Sequence, residues 1–249
     1  MTEFTVSSFE QMGDAPILIF ADHASNEIPD DFDDLGLPAE ILKTHIAWDI
    51  GAGALARSLG KTLGATVLTC GFSRLLADPN RDTTSDKMVP AISDEMLIPG
   101  NQSLSKSALQ ERIDRFHTPY HDSLEAALKD VTARAGAPFV LSVHSFTKRL
   151  TGASEDRPWN LGLLWREDEE SAQLVARHVE ANSSWVVGDN KPYDGALFSY
   201  TMDRHVGPRG LRHVTFELRQ DMIGDAAGVA AASAILAKTL QHVISRLGA

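Results

Sequence analysis

At 249 residues, 43% hydrophobic and 23% charged, the chain has room for one large α/β domain and needs no second. A net charge of −11 lacks the basic footprint of a nucleic-acid binder, and a single cysteine, Cys70, excludes an internal disulfide framework or a Cys-rich zinc site. Runs such as Ile17 to Ala21 are too short to span a bilayer, and Met1-Thr2-Glu3-Phe4 has no signal-like region, so the expectation is a cytoplasmic protein with no membrane or nucleic-acid partner.

The first strand is read over Pro16 to Asp22. Pro38 then suits the first position of a helix that carries Ile41, Leu42, His45 and Ile46 at helical spacing. A second helix runs from Ala52 to Leu63 with Gly64 as its stop, and Ala65 to Cys70 is a strand. Gly71 to Ser103 is the longest irregular region, and loops of that length are usually functional or mobile. Ser105 to Ala135 is helical by pattern, with a break expected at Pro119. Strands follow at Pro138 to His144, Leu161 to Trp165, Ser184 to Val187 and Leu211 to Leu218, with a helix over Asp168 to Glu180 and a closing Ala-rich helix over Ala226 to Leu247. Strands separated by helices predict right-handed crossovers and a mixed, mostly parallel sheet covered on both faces, in a single domain over residues 1–249.

Three of these strands end on chemistry. The run from Pro16 gives way to His23, the run from Pro138 delivers His144, and Glu217 sits between Phe216 and Leu218. A carboxylate or imidazole at the tip of a buried run costs stability unless it has a partner, and catalytic groups of α/β sheets collect at the carboxyl ends of strands. His, His and Glu so placed point to a metal-hydrolase site. Each has a plainer reading: either histidine as a hydrogen-bonded loop residue, and Glu217 as the ion-pair partner of Arg219, two residues on along the same strand face. The loop from Ser73 to Asp82 supplies Arg74, Asn80 and Arg81, a candidate anion clamp, since arginine binds carboxylates bidentately; its plainer reading is a solvated loop with local Asp–Arg pairs. His117 and His121 stand at i and i+4, but Pro119 lies between them and no further acid or histidine completes a site, so they read as structural or substrate-side. Cys70 has no histidine at motif spacing and is not a nucleophile candidate.

Asp78-Pro79-Asn80-Arg81, Ser142-Val143-His144-Ser145-Phe146 and Thr215-Phe216-Glu217-Leu218-Arg219 resemble, in chain order, the zinc carboxypeptidase pattern. With His23-Ala24-Ser25-Asn26 and the segment His45 to Ala52, the arrangement over roughly residues 15–240 more closely resembles the N-formylglutamate amidohydrolase family, which shares that zinc-exopeptidase-like fold. The resemblance implies that His23 and His144 are ligands of a divalent metal, zinc by family type. It implies that Glu217 is the general base, that Asn80 and Arg81 hold the substrate α-carboxylate, and that Arg74 faces the oxyanion or a second anionic group.

One position departs from the carboxypeptidase pattern. Three residues after the first histidine, where that pattern has glutamate, stands Asn26, with Glu27 next. An amide oxygen is a poor zinc ligand beside a carboxylate, so the third ligand is Asn26, Glu27 after a register shift, or the more remote Asp49. The reading is a metal-dependent amidohydrolase that cleaves the amide of a small anionic, N-formylglutamate-like N-acyl amino acid. The alternatives are a carboxypeptidase-like peptidase or deacylase, and a metal-free binding protein on the same fold. The acyl group, the amino-acid side chain and the oligomeric state are not readable from the sequence.

Overall fold

The computed structural model describes residues 4–248; Met1 to Glu3, read above as lacking signal character, and Ala249 lie outside them. The chain begins with strand β1 (Ser7–Gln11) and continues through β2 (Ile17–Ala21), helix α1 (Ala39–Leu42), α2 (Ala52–Leu63) and β3 (Thr66–Cys70). A small hairpin follows, β4 (Ile92–Ser93) with β5 (Met96–Leu97), then α3 (Lys106–Arg112), α4 (Thr118–Ala135) and β6 (Phe139–Phe146). The second half holds β7 (Leu161–Leu164), α5 (Glu169–Asn182), β8 (Val187–Asp189), α6 (Gly195–Phe198), α7 (Tyr200–His205), β9 (His213–Arg219) and α8 (Ala226–Leu247).

Seven strands form one sheet in the order β1-β3-β2-β6-β9-β7-β8. The central β3, β2, β6 and β9 are mutually parallel, while β1 pairs antiparallel with β3 at one edge and β7 antiparallel with β9 near the other. The fold is thus mixed α/β and mostly parallel. Its central strands read as apolar runs because both faces are covered. Ile17, Ile19 and Ala21 of β2 point into the core beneath α2, α5 and α8, and Leu18 and Phe20 into the one that includes Leu124, Leu128 and Val131 of α4. Helix α8 is long and apolar enough to cross a membrane by length and composition, yet its Val229, Ala232, Leu236, Leu240 and Val243 are buried in the first core.

Several boundaries differ from expectation for identifiable reasons. The helix after Pro38 ends at Leu42 rather than continuing through Ile46, because the following turn is held elsewhere: the Arg74 N–H donates to the Ala47 carbonyl at 3.2 Å and the Asp49 N–H to the His23 carbonyl at 2.9 Å. The interruption expected at Pro119 lies ahead of it, as a π-helical segment over Ile113–His117; Pro119 occupies the first turn of α4, where its missing N–H is not needed. The strand expected at Ser184 to Val187 is β8, displaced toward the C-terminus. Strand β1 and helices α6 and α7 have no counterpart in the expected elements.

Candidate functional site

The parallel register of β6 and β9 sets His144 opposite Glu217. The neighbouring end of β2 runs directly into Asp22 and His23, so three adjacent strands deliver titratable groups to one edge. The chain leaves β2 toward β3 on one side and returns across it to β6 on the other, which makes this edge a topological switch point. Asp49 joins from the turn ahead of α2. That turn depends on Gly51, at φ +82°, where a Cβ would lie 2.1 Å from the Ile223 carbonyl oxygen.

Asp49 Oδ2 sits between the two imidazoles, 3.3 Å from His23 Nδ1 and 2.9 Å from His144 Nδ1. All three residues are buried, and they offer one ligand atom each within 4.8 Å of one another. The outer face of each ring is also met by a buried carboxylate. His23 Nε2 donates to Asp78 Oδ1 at 2.8 Å, and His144 Nε2 lies 3.5 Å from Asp22 Oδ2. Asp22 in turn accepts from the Tyr120 hydroxyl at 2.7 Å. A carboxylate behind a histidine that turns its other nitrogen inward is the usual way a metal-ligating ring is oriented. Burial alone would raise the Asp49 carboxyl, but the facing His23 and His144 hold it well below the ordinary carboxylate range. Burial and Arg74 press the His23 imidazolium down, and Asp78 with Asp49 outweigh them, so its pKa is raised.

Glu217 is buried, and its Oε2 has no hydrogen-bond partner among the described residues. Burial pushes its carboxyl up to about 7 against the pull of His144. The ion pair with Arg219 is not formed, because Arg219 Nε donates to Asp221 Oδ1 at 2.7 Å. Glu217 is flanked on its other side by Gly162 of β7, where an added Cβ would stand 2.1 Å from the Lys191 carbonyl oxygen and 3.1 Å from Glu217 Cβ. Gly162→Ala is therefore expected to destabilise the fold by about 1–3 kcal/mol, seen as a melting temperature lowered by several degrees. An unchanged melting curve would show that β7 can give way there.

The loop after β3 brings the cations. Arg74 Nη2 donates to Asp78 Oδ2 at 2.8 Å, and its Nη1 lies 3.4 Å from Asp49 Oδ1. Arg81 makes no ion pair among the described residues; its guanidinium lies 5.1 Å from the centre of the Phe198 ring and donates to the Asn80 carbonyl at 2.9 Å. Asn80 donates to the Phe198 carbonyl at 3.1 Å and accepts from the Thr201 N–H, so it fastens this loop to α6 and α7. A stack of histidines supports the loop from beneath. His117 Nε2 donates to the Arg81 carbonyl at 2.9 Å, His121 Nε2 to the Pro79 carbonyl at 3.0 Å, and His205 Nε2 to His121 Nδ1 at 2.9 Å. Burial, reinforced by His117, brings His121 down to about 3, so its ring is neutral at physiological pH.

These groups line a cavity of about 170 Å³, to which Ser145, Tyr193 and Phe198 also contribute. The structure thus gathers His23, His144, Glu217, Arg74, Asn80 and Arg81 in one place. It does not bring Asn26 or Glu27 there: the Asn26 amide donates to the Leu42 carbonyl at 2.9 Å, and Glu27 is exposed. Asp49, the more remote alternative, is the residue that stands with the two histidines in a group that could hold an ion. Sequence reasoning missed Asp22, Asp78, Tyr193 and Phe198 as parts of the site. Asp22 and Asp78 carried a signal, as acids beside or within motifs already singled out; Tyr193 and Phe198 lie in a stretch without periodicity.

The sequence profile of the N-formylglutamate amidohydrolase family matches residues 15–224. Among solved structures, the chain is similar to a gene product from Agrobacterium tumefaciens, with 30% identity and a TM-score of 0.93 over 98% of this chain and 96% of that one. It is also similar to an N-formylglutamate amidohydrolase from Ralstonia eutropha, with 22% identity and a TM-score of 0.67 over 98% and 99% of the two chains, a likeness of fold. No curated protein matches the chain.

Proposed function

The chain belongs to the N-formylglutamate amidohydrolase family, hydrolases of an amide bond, and from that premise we propose that it is a metal-dependent enzyme cleaving an N-acyl amino acid held by its free carboxylate. The observation that carries this reading is the unpartnered Oε2 of buried Glu217 in the same cavity as the His23–Asp49–His144 group. The donor set fits a divalent ion: two imidazole nitrogens and one carboxylate oxygen, each imidazole backed by Asp78 or Asp22. A zinc ion bound there supplies Lewis acidity toward the amide carbonyl and lowers the pKa of water.

The chain's own groups do the rest. Glu217 takes a proton from water at Oε2 as the water oxygen bonds to the amide carbon. It then returns that proton to the leaving nitrogen as the C–N bond breaks, giving a carboxylic acid and an amine, which between them settle as carboxylate and ammonium. A carboxyl raised to about 7 suits both halves of that exchange. Arg74, held by Asp49 and Asp78, offers positive charge to the oxygen on which negative charge develops. Arg81, with no acidic partner among the described residues, receives the substrate carboxylate, and Asn80 keeps its loop in register.

A screen of N-formyl and N-acetyl amino acids with added zinc tests the reading. No turnover and no metal binding would favour a binding protein on the same fold, and turnover of peptides alone a carboxypeptidase-like activity. Within the proposal, Arg81→Ala should lower kcat/KM by about 2–5 kcal/mol in transition-state terms, chiefly through KM. Unchanged kinetics on carboxylate substrates would remove Arg81 from substrate recognition.

A further inference from the structure

The catalytic cavity does not end at Tyr193. A second chamber of about 340 Å³ adjoins it, and Asp49, Arg74, Ser145 and Tyr193 line both. Arg81, Phe198 and Glu217 face only the first; the second alone has an apolar side of Ile46, Phe146 and Leu150 and a polar side that includes His45, Asp94 and Gln220. The two are therefore compartments of one cleft, divided beside the His–Asp–His group.

The second compartment is built rather than left over. Asp94, in the left-handed turn of the β4–β5 hairpin at φ +44°, accepts from His45 Nε2 at 3.0 Å and from the Thr151 hydroxyl at 2.8 Å. One carboxylate thus joins the segment after α1, the hairpin and the loop after β6 around the chamber. Arg157 lies over the outer wall, 5.7 Å from the Phe146 ring and 5.2 Å from the Tyr193 ring, and donates to the Tyr193 hydroxyl.

A substrate whose carboxylate is held at Arg81 has its amino-acid part in the first chamber and its amide at the shared wall. Whatever the acyl carbon carries must then continue past Arg74 and Ser145. A formyl group carries only hydrogen there and would leave the second chamber to water. A cavity of about 150 Å³ is enough to take a benzene ring, and this one is roughly twice that. We infer that the second chamber is an acyl-binding site, and that the amide this chain cleaves carries an acyl group of benzene size or larger, seated against Ile46, Phe146 and Leu150. The inference rests on the amidohydrolase reading of the first chamber.

The test compares N-formyl-, N-acetyl- and N-benzoyl-L-glutamate as substrates of the zinc-loaded protein and, by calorimetry, as ligands of its Glu217→Gln variant. N-benzoyl-L-glutamate should exceed N-formyl-L-glutamate by at least about tenfold in kcat/KM, with binding in the same order, since each methylene-sized group seated on the apolar part of the wall is worth about tenfold and a ring adds several. Leu150→Trp, at a partly exposed position able to take a larger ring, should cut kcat/KM for the benzoyl substrate at least tenfold more than for the formyl one. N-formyl-L-glutamate turned over as well as the benzoyl compound, or an equal effect of Leu150→Trp on both, overturns the inference and leaves the amidohydrolase reading intact. If no N-acylglutamate of any size is bound or hydrolysed, the inference falls, and the amidohydrolase reading falls with it only if the wider screen of N-acyl amino acids also shows neither binding nor turnover.

Discussion

Asp49→Ala is expected to empty the metal group. Its Oδ2 is the atom that His23 and His144 both face, and neither Asn26 nor Glu27 is placed to replace it. Loss of an outer-shell carboxylate typically costs about 10–100-fold in metal affinity, and loss of one of three direct donors should cost more. Zinc should therefore be near stoichiometric in the wild type after dialysis and absent from the variant, with hydrolysis lost in parallel. Asp49 also holds Arg74 and accepts from the Ser145 N–H, so the alanine variant must be shown to be folded by circular dichroism. His144→Ala is the companion, removing a donor without touching Arg74. Asp78→Asn leaves the donors in place and alters the group behind His23, along with the ion pair to Arg74, so its zinc content should fall between wild type and Asp49→Ala. Full zinc retention in a folded Asp49→Ala protein would mean that the third donor comes from elsewhere.

How far the sequence went follows from where hydrophobic burial leaves a mark. Strands β2, β6 and β9 are buried on both faces, so they appear as apolar runs, and His23, His144 and Glu217 are conspicuous because each breaks or ends one. Helices α2 and α8 were readable in place and extent, α2 from its apolar spacing and the stop at Gly64 and α8 from its Ala-rich amphipathic pattern. Strand β1 was not, because it is an edge strand whose Ser8, Phe9 and Gln11 remain exposed and leave no run to detect. The third donor was hidden for a different reason. Asn26 and Glu27 are near His23 along the chain, but the chain turns after α1 and folds the Asp49 loop back to the His23 carbonyl, a tertiary choice without local periodicity. Tyr193 and Phe198 reach the cavity from short elements between β8 and β9, where neither spacing nor capping announces a wall.

Glu217→Gln separates chemistry from architecture. A structural carboxylate at this position would have a partner; here Oε2 has none among the described residues, and Arg219 is bonded to Asp221. Glutamine has nearly the same shape and no charge to bury, so the β6–β9 register and the fit against Gly162 should survive, and the melting temperature should not fall. The metal group should also remain, because Glu217 lies outside the His23–Asp49–His144 set. What the amide lacks is a lone pair basic enough to take a proton from water and a means of handing one to the leaving nitrogen. Loss of a general base typically costs about 10²–10⁴ in rate, so kcat should fall by that factor while zinc content stays at the wild-type level. KM should change little, since Arg81 and its loop are untouched. A variant that melts early but turns over normally while folded would make Glu217 a structural residue, and the proton would have to be moved by another group in the cavity.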